Sequence, residues 1–204
     1  MKKLTKTLVA AVFTALVLTS SAVSSFASPK SAPEVSTYRS KAGFKRIWVS
    51  GNVKIVLRQG DVQKVVGTNE FDSTQVSLTS DGNTLYIKSD QPGLVTLDIT
   101  VKDLERVVAR GKSTVIMSNN FDVKFLQVFL HENAQAKIKT TAGSLYTVVT
   151  DDAKLKLNGT ANQSTMVASK MKNVKTGDFA CNMSESYASE AIMKAGRTAM
   201  TRTK

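Results

Sequence analysis

Residues 126–138 read LQVFLHENAQAKI, and residues 145–157 read LYTVVTDDAKLKL. Laid over each other so that Leu126 aligns with Leu145, the two segments match in leucine, alanine and lysine, and Glu132 corresponds to Asp151. Residues 104–116 fit the same template further upstream, with Leu104 at the position of Leu126 and Arg110 at that of Glu132. A unit this short cannot bury its apolar face alone, so successive copies have to stack and share a core. The repeat therefore predicts a stacked β-solenoid.

Apolar and polar residues also alternate upstream of this repeat, which is typical of strands with one buried face. In residues 95–101, valine, leucine and isoleucine occupy every odd position and polar residues every even one. Residues 53–57, 136–139 and 154–157 continue the pattern, with lysine at most of the polar positions. The sequence therefore predicts an all-β fold with outward-facing lysines, which keep exposed strands soluble.

Residues that tolerate positive φ separate the strands at short intervals. They are Gly51-Asn52, Gly60-Asp61, Asp81-Gly82, Pro92-Gly93, Gly143 and Asn158-Gly159. Asp81-Gly82 lies between two apolar runs and predicts a hairpin over residues 76–87. The strands are therefore expected to be short and numerous. Evenly spaced short strands are also typical of a β-sandwich, which stays open as the alternative fold.

The first 27 residues have the pattern of a secretory signal peptide. Three lysines precede an apolar stretch from residue 8 to residue 18, and the small residues Ser25 and Ala27 suit cleavage after Ala27. The apolar stretch is shorter than the roughly 20 residues that a membrane-spanning helix needs, so we expect no transmembrane span after cleavage. The protein is then expected to be exported to the periplasm, the cell surface or the medium of a bacterium.

The remaining chain divides into a leader and one domain. Residues 28–43 are small and polar and show neither a helical nor a strand period, so we expect a flexible leader. Residues 44–204 then form a single all-β domain. Within that domain, residues 184–200 are the segment that could form a helix, although Gly196 weakens helix formation there.

Basic residues outnumber acidic ones by 28 to 16, which gives a formal net charge of +12. Such a balance favours anionic neighbours such as lipopolysaccharide, acidic glycans or nucleic acid. Nucleic acid is not expected as a partner, because the aromatic residues Trp48, Tyr86 and Tyr146 are not interleaved with a dense basic cluster.

The candidate ligand-binding residues are the outward lysines of the repeat and two basic residues in one of its turns. They are Arg110, Lys112, Lys137, Lys139, Lys154 and Lys156. Together they would offer a broad, shallow, cationic platform for an anionic glycan or an envelope polymer. The alternative is that these charges serve only to solvate the surface.

The residue inventory does not suit the common catalytic and metal-binding arrangements. His131 is the only histidine and lies in a charged turn without a nucleophile motif, unlike the histidine of a Ser-His-Asp triad. One histidine and one cysteine exclude a zinc site built from those residue types alone. Asp151 and Asp152 are adjacent, and successive side chains of a strand face opposite ways, so they do not suit a shared calcium ion. We therefore predict no catalytic residue, no metal and no cofactor.

The single cysteine, Cys181, excludes an internal disulfide framework. Alternation places Cys181 on the inward side of its segment, where it would act as a small core residue. If it were exposed in an oxidising compartment, it could instead cross-link two chains.

Two blocks of the sequence carry a family resemblance: FKRIWVSGNVKIVLRQGD at residues 44–61 and DGNTLYI at residues 81–87. With these blocks the chain resembles the putative auto-transporter adhesin head GIN domain family. Members of that family open with this strand, Ser-Gly turn, strand and Gln-Gly turn, and continue into repeats tipped by Ser-Gly-Ala-Ser. The resemblance implies a right-handed all-β stack, a bacterial cell-envelope or extracellular setting and an adhesion-type role. It implies no reaction.

The repeat tips of this chain depart from the family pattern. The positions that match them are 109–112, 131–134, 150–153 and 184–187, and none of these reads Ser-Gly-Ala-Ser. Any role of the usual tips is therefore not expected to carry over to this chain.

Three classes of function fit these features. The first, which we predict, is an exported, non-catalytic binding module of the adhesin type for an anionic glycan or envelope polymer. The second is a β-helical glycan lyase or hydrolase, which would need a carboxylate cluster that the sequence does not show. The third is a structural spacer or assembly element.

Overall fold

The structure, a computed structural model, describes residues 37–38, 43–68 and 74–188. These residues belong to one compact unit, residues 33–204. The predicted signal peptide lies outside the described residues, and of the predicted leader only residues 37–38 and 43 are described. Residues 37–38 form a short strand, so this part of the segment expected to be flexible pairs with the domain.

The described chain forms thirteen strands and a single turn of 3-10 helix at Met171–Asn173. The strands are β1 (Thr37–Tyr38), β2 (Arg46–Gly51), β3 (Val53–Gln59), β4 (Lys64–Gly67), β5 (Val76–Asp81), β6 (Thr84–Ser89), β7 (Val95–Val101), β8 (Arg106–Ala109), β9 (Thr114–Met117), β10 (Phe121–Leu130), β11 (Gln135–Val149), β12 (Lys154–Ala168) and β13 (Val174–Ala188). All thirteen belong to one sheet, so the prediction of an all-β fold is confirmed.

The strands stack coil upon coil by parallel pairing. One series, here called the first face, runs β6, β2, β8 and then the C-terminal parts of β10, β11, β12 and β13. The other, the second face, runs β7, β3, β9 and then the N-terminal parts of β11, β12 and β13. Such long-range parallel stacking agrees with a solenoid, whereas a sandwich is built from antiparallel sheets.

The step that aligns Leu126 with Leu145 in the sequence is also the register of the stack. Along β11 and β12 every pair of residues is separated by that same step, from Gln135 opposite Lys154 to Val149 opposite Ala168. The repeat recognised in the sequence is therefore one coil.

The upstream copy is shifted by one residue relative to its predicted alignment. Gln127 pairs with Arg106, and Gln135 pairs with Thr114. The distance in sequence between paired residues is therefore one residue shorter than the predicted alignment of Leu104 with Leu126 requires. Leu104 is fully buried, as Leu126 is, but it lies before β8, whereas Leu126 lies within β10. The two leucines are therefore not equivalent. A slip of one residue turns every side chain of a strand to the opposite face. The shift also moves the turn from the predicted residues 109–112 to residues 110–113.

Two glycines predicted as turns lie inside long strands. The 15-residue strands β11 and β12 run through Gly143 and Gly159 without ending. Gly159 has a φ of 106°, and a Cβ atom there would collide with the carbonyl oxygen of Thr140 in the neighbouring coil. Gly159 therefore allows two neighbouring coils to approach each other closely. Strands β11 and β12 are longer than the sequence predicted.

The core between the two faces is mainly aliphatic. The odd-numbered residues of β7 are fully buried, as the alternation predicted, and so are Val53, Ile55 and Leu57 of β3. Only Phe44 and Phe121 are aromatic among the largest fully buried side chains of the described residues.

Antiparallel strands flank the first coils. The predicted hairpin is confirmed, because β5 pairs antiparallel with β6 and Gly82 of its turn has a φ of 52°. Strands β1 and β4 add antiparallel pairing next to β7.

The sequence leaves open whether residues 184–200 form a helix or a final β coil, and in the first part of this segment the helix is wrong. Residues 184–188 belong to β13 and pair in parallel with β12, from Ser184 opposite Ser164 to Ala188 opposite Ala168. Pairing with the preceding coil overrides the weak local preference for a helix. Residues 189–200 lie outside the described part of the chain. Across residues 37–38, 43–68 and 74–188, no helix is both long and apolar enough to cross a bilayer.

Candidate functional site

Three lysines on adjacent strands of the second face lie directly opposite one another. Lys137 of β11 pairs with Lys156 of β12, and Lys156 pairs with Lys175 of β13. All three side chains are exposed. Neighbouring strands lie about 4.8 Å apart, so the three ammonium groups form a regular cationic ladder across the coils.

Two further lysines flank this ladder on the same side. Lys139 lies two residues after Lys137 in β11, and Lys154 lies two residues before Lys156 in β12. Because alternate residues of a strand share a face, both lie on the same face as the ladder. We call Lys137, Lys139, Lys154, Lys156 and Lys175 the lysine face. Four of its five members were predicted from the sequence.

The lysine face is not neutralised by the protein itself. Like charges directly opposite one another destabilise a sheet. Within residues 43–68 and 74–188, none of the five lysines takes part in an ion pair. The carboxylate of Asp178, on the same strand as Lys175, accepts a hydrogen bond of 2.8 Å from the Asn158 amide.

Lys175 was missed from the sequence although it follows Lys156 by the same step by which Lys156 follows Lys137. An irregularity in register between β12 and β13 hides it: Lys156 pairs with Lys175, but Asn158 pairs with Asp178. The extra residue breaks the pattern immediately after the lysine. Extending the repeat by one further coil would have found it.

The other two predicted residues lie elsewhere, in the turn between the two faces. Arg110 and Lys112 belong to the turn of residues 110–113, and both side chains are exposed. The Arg110 Nε atom lies 3.3 Å from a carboxylate oxygen of Glu132 in the next coil, so its charge is partly compensated. The structure thus separates the predicted set of six into a group of four and a group of two.

Successive turns at this edge are linked by carboxylates. Gly111, Glu132 and Asp151 occupy equivalent places and have φ values of 70°, 62° and 58°. The Gly111 N–H donates to Glu132 Oε2 at 2.8 Å, and the Glu132 N–H donates to Asp151 Oδ2 at 2.9 Å. We call these three residues the turn ladder, in which each acid binds the backbone of the preceding coil.

These hydrogen bonds set the ionisation of the turn acids. The Glu132 N–H, followed by the Thr150 hydroxyl, lowers the pKa of Asp151 below its ordinary value. A hydrogen bond and the charge of Lys170 lower the pKa of Asp152. Both groups are thus held as carboxylates, which suits a structural role and not proton donation.

The turns correspond only in part to the predicted family tips. Residues 131–134 and 150–153 are turns, each closed by a hydrogen bond from its last N–H to its first carbonyl. The upstream turn is residues 110–113 and not 109–112, because of the one-residue shift in register. Residues 184–187 lie within β13 and form no turn.

The single histidine is not arranged as in a Ser-His-Asp triad. His131 Nδ1 lies 2.9 Å from Thr150 Oγ1, and this hydroxyl donates to Asp151 Oδ2 at 3.1 Å. The hydroxyl thus lies between the imidazole and the carboxylate, whereas a Ser-His-Asp triad places the imidazole in the middle.

A groove of about 780 Å³ is lined by three carboxylates that were not predicted from the sequence, those of Asp103, Glu105 and Asp122. Asp103 and Glu105 both bind the ammonium group of Lys45, at 2.8 and 3.3 Å. These carboxylates raise the pKa of Lys45, first through the hydrogen bond to Asp103.

The remaining candidates for chemistry are few. Among the described residues, no three His, Cys, Asp or Glu side chains lie close enough to hold a metal ion together. Cys181 is a free, half-buried thiol that packs against the core, as predicted from alternation.

The chain belongs to the family described as putative auto-transporter adhesin, head GIN domain, whose sequence profile matches residues 43–190. The family resemblance noted in the sequence is confirmed. The chain is thus an adhesin-like module, and neither the family nor the structural neighbours below are named as enzymes. No curated protein matches the chain in sequence.

Solved structures share the fold at low sequence identity. One is a putative lipid binding protein from Parabacteroides distasonis, with a TM-score of 0.58, 13% identity and coverage of 78% of this chain and 79% of the other. Another is a putative adhesin from the same organism, with a TM-score of 0.57, 12% identity and coverage of 76% and 79%. Identities this low show that the fold is shared.

Proposed function

We propose that the protein is an exported, non-catalytic binding module of the bacterial cell envelope or surface, and that its lysine face holds an anionic glycan or envelope polymer. The observation that carries this proposal is the uncompensated ladder of Lys137, Lys156 and Lys175. A row of like charges costs stability in the free protein, and a polyanion bound along it removes that cost.

The shape of the lysine face suits an extended polymer. The ladder repeats with the strand spacing of about 4.8 Å, and it lies on an open sheet surface. A chain carrying carboxylate or phosphate groups at intervals can contact several rungs at once, so that weak single contacts add up.

Two sources of polyanion fit the same chemistry. Acidic polysaccharides carry carboxylates, and lipopolysaccharide carries phosphates in addition. One structural neighbour is named as a lipid binding protein, which supports including lipopolysaccharide among the ligands to be tested. The two sources are the separate arms of the experiment.

The proposed export rests on the N-terminal pattern and on the adhesin-type family. Expression in a bacterial host with intact secretion should yield a mature protein that begins at Ser28. Intact-mass measurement of the secreted or periplasmic protein checks this. An exported protein that retains Met1 would contradict cleavage.

Binding is tested by titrating immobilised lipopolysaccharide and immobilised polygalacturonate with the purified protein at low salt. The test variant combines Lys137→Gln, Lys156→Gln and Lys175→Gln. The control variant combines Lys64→Gln, Lys88→Gln and Lys124→Gln, which removes the same charge from other exposed strand positions. We expect the test variant to bind roughly tenfold more weakly than the wild type, since each lost contact of an exposed charge is worth up to about 1 kcal/mol.

The control decides between a specific face and a general charge effect. The control variant should bind within about twofold of the wild type. Equal weakening in both variants would mean that net charge alone drives binding. Wild-type protein that binds neither polymer would favour the spacer function, and turnover of polygalacturonate would favour the enzyme.

A further inference from the structure

The first face carries an apolar stripe that the proposed function does not use. One residue from each of seven adjacent parallel strands contributes to it; two of the seven are exposed, four are half-buried and Val167 is buried. In the order of the strands, these are Tyr86, Trp48, Val108, Phe129, Val148, Val167 and Tyr187. We call this row the aromatic stripe. At about 4.8 Å per strand, it is roughly 29 Å long.

Aromatic residues are concentrated on this face and not in the core. Residues 43–68 and 74–188 contain nine aromatic side chains, and six of them project outward from the first face. These six are Trp48, Tyr86, Phe125, Phe129, Tyr146 and Tyr187. Tyr86, Phe125 and Tyr187 are exposed and the other three are half-buried, so they lose part of the stabilisation that burial would give them, which marks an interaction surface.

The rings of the stripe are held in place by their neighbours. Trp48 and Tyr86 have ring centroids 6.1 Å apart, and Phe129 and Tyr146 have centroids 5.9 Å apart. The Arg106 guanidinium lies 5.5 Å from the centre of the Phe129 ring and donates to Gln127 Oε1 at 2.7 Å. A ligand would therefore meet a preorganised row of ring surfaces.

The shape of the stripe restricts what can bind it. It is one side chain wide, whereas a stable protein interface buries about 800 Å² on each partner. It is long and narrow, which suits a linear chain lying across the strands.

The residues beside the stripe specify the chemistry of that chain. The neighbouring column offers the Gln127 amide and the Thr165 hydroxyl together with the charged groups of Arg46, Arg106 and Glu185. The next column offers Ser144 and Gln163. Ring surfaces next to amides and hydroxyls match a pyranose, which has apolar C–H faces and hydroxyl groups along its edge. The stripe itself contains no charged residue, and three of the basic residues beside it, Arg46, Lys88 and Arg110, are paired with carboxylates, so an acidic polymer would be drawn to the lysine face instead.

We infer that the aromatic stripe binds an uncharged, β-1,4-linked pyranose chain, at a site separate from the lysine face. A β-1,4 linkage gives an extended, flat chain that can follow a narrow row of rings about 29 Å long, whereas an α-1,4-linked chain coils away from it. The module then has two glycan-binding surfaces of different chemistry on two faces of one stack.

Trp48 is the only tryptophan of the chain, and it lies in the stripe, so its fluorescence reports binding directly. The purified protein is titrated with cellohexaose, and with maltohexaose as the α-1,4-linked control. We expect a saturable change in Trp48 emission with cellohexaose only, and it should persist in about 0.5 M NaCl, because no ion pair is involved.

Two variants locate the site. Phe129→Ser removes a ring at the middle of the stripe, and the pair Tyr86→Ser with Tyr187→Ser removes exposed rings near its two ends, where folding is least affected. Each should weaken cellohexaose binding roughly tenfold. The variant lacking Lys137, Lys156 and Lys175 should bind cellohexaose as the wild type does, which separates this inference from the proposed polyanion binding.

Four results would overturn the inference. They are an absence of any response to cellohexaose, an equal response to maltohexaose, unchanged binding by both the tyrosine and the phenylalanine variants, and loss of binding in high salt. A change in Trp48 emission with protein concentration alone would also contradict it, since a second copy of the chain would then cover the stripe.

Discussion

Glu132 and Asp151 are acids held at positive φ, where glycine is usually favoured. Each carboxylate accepts a backbone N–H of the preceding coil, at 2.8 Å for Glu132 and 2.9 Å for Asp151. The hydrogen bond between coils compensates for the unfavourable backbone conformation. These residues therefore connect the coils at the turn edge, and we assign them no ligand.

The turn ladder makes a prediction about acid stability. Because the pKa of Asp151 is lower in the folded protein than its ordinary value of 3.8, the carboxylate stabilises the fold above that value. This stabilisation is lost as the pH falls through the lowered pKa. Thermal unfolding between about pH 7 and pH 2 should show Asp151→Asn less stable than the wild type at neutral pH and equal to it at the acid end. A constant difference over the whole range would contradict the assignment.

Replacement of two fully buried threonines by valine is expected to change the stability of the protein in opposite directions. The Thr147 hydroxyl has no hydrogen-bond partner among the described residues, whereas Thr140 Oγ1 donates to the Phe121 carbonyl at 2.8 Å. Thr147→Val should stabilise the protein by about 1 kcal/mol, because it removes an unsatisfied polar group. Thr140→Val should destabilise it by a similar amount, since the carbonyl loses its donor. Urea unfolding measures both, and destabilisation by Thr147→Val would contradict the buried, unpaired hydroxyl.

At the scale of the strands, Gly159 allows β11 and β12 to approach each other at the bend of the coil. Its φ of 106° and the nearby Thr140 carbonyl leave no room for a side chain. Gly159→Ala should destabilise the protein by about 2 kcal/mol or more. The control is Gly177→Ala, because a Cβ at that glycine would meet nothing within 4 Å. Urea unfolding that shows equal, small effects for both glycines would contradict the role of Gly159.

The pairing of β11 with β12 could be predicted from sequence because the two coils have the same length. A constant step keeps leucine, alanine and lysine in register over all the paired positions. The coil upstream has a different length, and the buried Leu104 before β8 suggested a step that was too long by one residue. Sequence periodicity thus identifies equal coils well, and it fails where a turn gains or loses a residue.

The same reason limits how much of the candidate site could be predicted. Lys137 and Lys156 lie in coils of equal step and were predicted, whereas Lys175 precedes an irregular pairing and was missed. The aromatic stripe was missed altogether, because residues such as Trp48 and Phe129 are distant in sequence. Only the order of strands β2, β8 and β10 on the first face brings them into one row.

The whole molecule separates its surface chemistry by face. The second face presents uncompensated lysines, the turn edge presents acids bound to backbone, and the first face presents aromatic rings. The stacked coils make this possible, because one position in each coil generates a row of equivalent side chains across the strands. A net charge alone could not predict such a division.

If an anionic polymer contacts the in-register lysines Lys137, Lys156 and Lys175, its binding must depend on salt through those three residues. The dissociation constant for lipopolysaccharide is measured at several NaCl concentrations between about 50 and 300 mM, for the wild type and for the variant with glutamine at all three positions. Each lysine that releases a counterion adds roughly 0.7 to 0.9 to the slope of log affinity against log salt. We expect a slope that is shallower by about 2 to 3 in the variant. Identical slopes for the two proteins would contradict polymer binding at the lysine face.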